Sequence, residues 1–183
     1  GVQAVEFHEG GALVIGERIN PTGKKKLQEA FKSGDEAFVL REAVSQVHSG
    51  AKILDVNVGV PGLDEVEILP RTVESVMSVV NCPLQIDSSD PVALEKALRR
   101  YNGKALVNSV NGKAKSMDAV FPIVKKYGGV IVALCLDENG IPESVQGRIA
   151  IAKRILEEGR KYGFSEEDFL FDALTMAVSV NKN

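Results

Sequence analysis

Two patterns alternate along the chain. Short apolar runs, often β-branched, are separated by longer stretches in which apolar residues recur every three or four positions. Residues 1–11 show neither pattern and read as a leading linker, which places the folded domain at 12–183. The short runs predict strands at Ala12–Glu17, Ala51–Val58, Pro83–Asp87, Lys104–Ser109, Val130–Leu136 and Asp168–Asp172. Val130–Leu136 is uncharged and suits a strand buried on both faces.

The longer stretches predict helices with defined inner faces. Lys24–Lys32 would bury Leu27, Ala30 and Phe31, with Gly34 as its stop. Asp35 can cap a helix that buries Leu40, Ala43, Val44 and Val47 and stops at Gly50. The next face carries Val66, Leu69, Val73, Val76, Met77 and Val80, and Pro70 is expected to restart that helix at its first turn. Asp90 and Pro91 begin a helix that buries Leu94, Ala97 and Leu98. Met117, Val120, Phe121 and Val124 mark a fifth helix. Val145, Ile149, Ala152 and Leu156 mark a long sixth, ending at Tyr162.

Strand and helix thus alternate six times, which indicates α/β with parallel strands. A doubly wound sheet and a TIM barrel both fit. The chain has no G-x-G-x-x-G and no phosphate-binding loop of the Walker type. Polar residues close nearly every predicted strand, which favours a barrel whose site is built from strand ends. A complete barrel needs eight strands and about 250 residues. The 183 residues here accommodate about six, so a barrel truncated before its last strands is expected.

The strand-end residues are Glu17, Asn20, Asp55 or Asn57, Asp87, Asn108 and Asp172. Any one of them alone has a plain structural explanation. Asp87 could cap the turn into Pro91, Asn108 could bond its own loop, and Asp55 is read as bonding the adjacent strand end. Jointly they describe a pocket of carboxylates and amides. Such a pocket suits a neutral, planar ligand rich in N–H donors, and a pterin edge has that character.

Charge and composition narrow the class. A formal net charge of −3 argues against nucleic acid as the main partner. No apolar run approaches the roughly 18 residues of a membrane span. Cys82 and Cys135 lie in apolar runs and read as buried free thiols, as in a cytoplasmic protein. His8 and His48 are isolated, and no CxxC or HExxH spacing occurs, so no metal site is expected. No Ser-His-Asp or Cys-His arrangement suggests a nucleophile.

Five segments then become recognisable in order: GERINPTGKKKL at Gly16–Leu27, LDVNVG at Leu54–Gly59, LQIDSSD at Leu84–Asp90, LVNSVN at Leu106–Asn111 and LFDAL at Leu170–Leu174. The chain resembles the pterin-binding domain of cobalamin-dependent methionine synthase and the stand-alone methyltetrahydrofolate:corrinoid methyltransferases. It is similar more distantly to dihydropteroate synthase. The run DENGIP at Asp137–Pro142 fits the methionine synthase branch. The resemblance implies a TIM barrel of the dihydropteroate-synthase-like type. It would bind 5-methyltetrahydrofolate and pass the methyl group to cob(I)alamin held by a separate domain or corrinoid protein. A homocysteine-binding domain would be a further partner in methionine synthesis. Asp87, Asn108 and Asp172 would hold the pterin ring, and Glu17 would line the same pocket. Asn20 and Asn57 are weaker carry-overs. The family's Asn at folate N5 would lie beyond residue 183. Stand-alone corrinoid methyl transfer, or a non-catalytic fragment that self-associates through open barrel edges, are the alternatives.

Overall fold

The structure is a computed structural model and describes residues 3–7 and 11–175. His8 and the stretch 177–183 lie outside them. The strands are β1 (Ile15–Ile19), β2 (Ile53–Val56), β3 (Leu84–Asp87), β4 (Ala105–Asn111), β5 (Gly129–Leu134) and β6 (Phe169–Asp172). The helices are α1 (Lys25–Ser33), α2 (Glu36–His48), α3 (Glu65–Val79), α4 (Pro91–Arg100), α5 (Ala114–Tyr127) and α6 (Val145–Lys161). Strand order in the sheet follows the chain, β1-β2-β3-β4-β5-β6. The chain divides into two compact units at Val107/Asn108, within β4.

In the first unit β1 pairs with β2 and β2 with β3, all parallel. Every residue of β2 is buried. Leu54, Val56, Leu84 and Ile86 are buried in the same sheet, and Leu69, Val73 and Val76 of α3 and Leu94 of α4 join the core. The helix starts are those that the sequence indicates. The Asp35 side chain accepts from Phe38 N at 3.0 Å, and Asp90 Oδ1 accepts from Val92 N at 2.8 Å. Gly34 ends α1 in the left-handed conformation, with φ 71°.

Several predicted details are corrected in this unit. β1 begins at Ile15, not Ala12, so Glu17 lies inside the strand. Pro70 does not restart α3. That helix begins at Glu65, capped by Asp64, and continues through Pro70, whose neighbours Leu69 and Val73 anchor it in the core. The inner face of α2 is Val39, Ala43 and Gln46, with Leu40, Val44 and Val47 half-buried. Gln46 is inside because it serves the backbone. Its Oε1 accepts from Arg18 N at 2.7 Å, and its Nε2 donates to Glu42 O at 3.2 Å.

In the second unit β5 and β6 pair in parallel from Ile131↔Phe169 to Leu134↔Asp172. β5 is not buried on both faces as predicted; its residues alternate between buried and half-buried. Four aromatic residues form the core beside it. Phe121 meets Tyr162, Phe164 and Phe169 at centroid distances of 5.4, 5.6 and 6.1 Å, a spacing typical of tilted and edge-on pairs. The inner stripe of α6 is Ile151, Ile155 and Gly159. The predicted stripe is largely outside, with Val145 65% and Ile149 48% exposed. The reason is Phe169: its ring packs where a side chain at 159 would be, and only glycine admits it.

Cys82 and Cys135 are free and buried, and burial pushes both thiols up. No helix is long and apolar enough to cross a membrane, among the described residues.

Candidate functional site

Alternation along β2 and β3 determines which side chains meet. Residues two apart share a face. Asp55 and Asn57 are therefore on one face of β2, and Gln85 and Asp87 on one face of β3. The register places Asp55 opposite Gln85. Two hydrogen bonds cross between the strands on this face. Gln85 Nε2 donates to Asp55 Oδ1 at 2.6 Å, and Asn57 Nδ2 donates to Asp87 Oδ2 at 2.9 Å.

The β1 end adds two more residues. Asn20 Nδ2 donates to Glu17 Oε1 at 3.3 Å, and Asn20 Oδ1 accepts from Thr22 N at 3.1 Å. Asn20 is buried, at 8% exposure, whereas Glu17 is exposed. Lys24 fastens this turn: its Nζ donates to Glu17 O at 2.8 Å and to Asn20 O at 2.9 Å. Behind Asp87, Ser88 Oγ donates to Glu65 Oε1. The first unit thus groups Glu17, Asn20, Asp55, Asn57 and Asp87 on, or just beyond, three adjacent parallel strands.

This collection of acids is under electrostatic pressure. Asp55 is 1% exposed and its carboxyl is pushed up to about 7. Burial is the main cause, and the charges of Asp87 and Glu17 add to it; the Gln85 bond opposes them, as, more weakly, does the Asn20 amide. Asp55 Oδ2 is buried without a hydrogen-bond partner among the described residues. A protonated carboxyl relieves that situation, because a neutral acid is cheaper to bury than an unpaired anion. Asp87 is also raised, chiefly by burial, against the lowering effect of Asn57; Glu65 and Glu17 raise it further.

In the second unit, Asn108 lies half-buried on β4 and Asp172 is exposed at the end of β6. Asp172 Oδ1 accepts from Leu174 N at 2.7 Å, and its backbone O accepts from Cys135 N at 3.0 Å. His48 is exposed on α2. No group of three potential metal ligands exists among the described residues.

The reading that Asp55 bonds the neighbouring strand is correct for one oxygen only. Its second oxygen is buried without a hydrogen-bond partner among the described residues. Gln85, absent from the sequence-based set, was detectable through its position two residues before Asp87. Asp90, not Asp87, caps α4, so the Asp87 carboxylate is not used up by the turn.

Carboxyls and amides grouped in this way have the hydrogen-bonding character that a planar, donor-rich ring complements. The family described as pterin binding enzymes matches residues 16–183. A methylcorrinoid:tetrahydrofolate methyltransferase of Eubacterium limosum is 32% identical over 176 residues, covering 93% of this chain and 64% of that protein. A methionine synthase of Mycobacterium tuberculosis is 29% identical over 186 residues, covering 98% of this chain and 16% of that protein. The chain therefore spans less than two thirds of either relative. Among solved structures, a dihydropteroate synthase from Coxiella burnetii in complex with pteroic acid matches with TM-score 0.67 at 18% identity, over 90% of this chain and 62% of that one. A dihydropteroate synthase from Stenotrophomonas maltophilia matches with TM-score 0.65 at 19% identity, over 88% and 60%. At such identities the likeness shows the fold alone, six consecutive parallel strands of a TIM barrel. With the family match covering nearly all of the sequence, the chain belongs to the pterin-binding enzyme family.

Proposed function

We propose that this chain binds 5-methyltetrahydrofolate and acts in methyl transfer between that folate and the cobalt of a corrinoid carried by a separate domain or protein. The observation that carries the reading is the Asp87 carboxylate. It is half-buried at a strand end, fixed through Oδ2 by Asn57, with Oδ1 assigned to the ligand's N–H edge. A pterin presents an exocyclic amino group beside a ring N–H, and a carboxylate held by one oxygen accepts from either.

Asp55 stands behind this contact. Its carboxyl holds a proton near neutral pH and so limits the negative charge beside Asp87. Glu17 and Asn20 line the β1 side. Asn108 and Asp172 are assigned to the pterin by their sequence motifs alone. The corrinoid would supply the cobalt that exchanges the methyl group with the folate. For the folate to lose its methyl group, N5 must gain a proton or a strong hydrogen bond, since an amine anion is a very poor leaving group.

Two finer readings remain within this class. Methionine synthesis, with homocysteine as final acceptor, is supported by the mycobacterial relatives at 29% and 28% identity. Stand-alone exchange between folate and corrinoid is supported by the Eubacterium limosum relative at 32%. The test is spectroscopic. Cob(I)alamin should be consumed and methylcobalamin formed on mixing the chain with 5-methyltetrahydrofolate. Condensation of a pterin pyrophosphate with p-aminobenzoate, without methyl transfer, would refute the proposal in favour of a dihydropteroate synthase activity.

A further inference from the structure

One acidic side chain beside Asp87 comes from a helix and not from the strands. Glu65 is the first residue of α3, and Asp64 caps that helix by accepting from Val66 N at 3.0 Å. Its place is therefore set by the start of α3, the end of a helix that favours negative charge. Ser88 directly follows Asp87 and is 6% exposed. Its hydroxyl donates to Glu65 Oε1 and accepts from Asp90 N at 3.0 Å. The residue after Asp87 is thus held from two helix starts at once, by a side chain of α3 and by the backbone of the residue that caps α4. Asp87 itself is held from the β2 side, where Asn57 Nδ2 donates to its Oδ2.

Charge acts along the same path. The groups facing Asp87 are the Asn57 amide on the β2 side, Glu65 on α3 and Glu17 on β1. Asp55 on β2 is also within electrostatic reach. None of these is a cation. Burial raises the Asp87 carboxyl most, the Asn57 bond lowers it, and Glu65 raises it again, ahead of Glu17. We propose that Glu65 is a positioning residue of the pterin site: through Ser88 it fixes the turn that carries Asp87, and through its charge it sets how far into acid the site still accepts N–H donors. This rests on the folate reading above and requires no contact between Glu65 and the ligand. The two roles are separable. Glu65→Gln keeps an acceptor for the Ser88 hydroxyl and removes the charge, whereas Ser88→Ala removes the bond and keeps the charge.

The test combines carboxyl-carbon NMR of Asp87 in the free chain with calorimetric titration of 5-methyltetrahydrofolate across the acid range. In Glu65→Gln a like charge is gone, so Asp87 should release its proton at a lower pH than in the unaltered chain. Folate binding should then persist correspondingly further into acid. An acid that served only the start of α3 would move neither. In Ser88→Ala the affinity at neutral pH should fall about ten-fold, the scale of a hydrogen bond to a charged group. An Asp87 titration unmoved by Glu65→Gln, a binding profile that does not follow it, or an undiminished affinity in Ser88→Ala would overturn the inference and leave the pterin site standing. Failure of the unaltered chain to bind the folate would overturn the folate reading and this inference with it, whatever the Asp87 titration shows.

Discussion

The Asn57 side-chain amide donates to Asp87 Oδ2 at 2.9 Å and joins the ends of β2 and β3. Both residues end apolar runs, and neither bond partner is close in sequence. Asn57 also accepts from Gly59 N at 2.8 Å through its Oδ1, which fixes its amide orientation. The pair therefore presents Asp87 in one pose and makes it a better anion than burial alone would allow.

Removing this support tests its role. Asn57→Ala should weaken pterin binding about ten-fold, the usual scale of a hydrogen bond to a charged group. It should also change the pH profile. Loss of the Asn57 bond lets the Asp87 carboxyl rise further, so binding that needs the anion would be lost at a higher pH than in the unaltered chain. An unchanged affinity and pH profile in titration calorimetry would show that Asn57 does not position Asp87.

Asp55 should leave a mark on stability. Its folded value near 7 lies above the ordinary 3.8, so the folded state keeps a proton that the unfolded state releases. The associated stability is fully present below about pH 4 and is lost as pH rises through 7. Asp55→Asn cannot titrate. The difference in melting temperature between variant and parent should therefore shift in favour of the variant from pH 4 to pH 8. Parallel curves would contradict a proton on Asp55.

Gly159 reverses the usual helix rule. In a helix interior Gly→Ala ordinarily adds about 0.5–1 kcal/mol of stability. Here a Cβ would stand 2.6 Å from Cζ of Phe169, inside the aromatic core. Gly159→Ala should instead destabilise by about 1–3 kcal/mol. Chemical denaturation decides the sign.

The Asp90 cap separates folding from binding. Asp90→Ala removes the acceptor for Val92 N and Ala93 N. It should cost about 1 kcal/mol of stability. Pterin affinity should stay near that of the parent, because the neighbouring Asp87 does not take part in the cap. A large loss of affinity at unchanged stability would contradict that division of labour.

Much of this was legible in the sequence, for identifiable reasons. Alternating strand and helix patterns gave the α/β class, and the caps at Asp35 and Asp90 followed from residue type. Strand-end polarity pointed to Asp87 and Asn57. The face of α6 was misread because the helix has two stripes, and the inner one ends at Gly159, which carries no apolar side chain to count. Its choice depends on Phe169, a partner only the fold supplies. The face of α2 was misread because Gln46 is buried for its hydrogen bonds, a reason periodicity does not encode. The proton affinity of Asp55 is hidden from the sequence for a related cause. Its Gln85 bond is readable from neighbouring strands, but the unpartnered Oδ2 and its elevated proton affinity come from burial.

The central claim is that Asp87 anchors a pterin. The direct measurement is calorimetric titration of the chain with 5-methyltetrahydrofolate, unaltered and as Asp87→Ala, with melting temperatures of both. The account expects binding to the unaltered chain, a drop of about 100-fold or more in the variant, as for truncation of a buried charged partner, and little change in melting temperature. A variant that melts well below the parent yet binds the folate equally would show that Asp87 serves the fold and not the ligand.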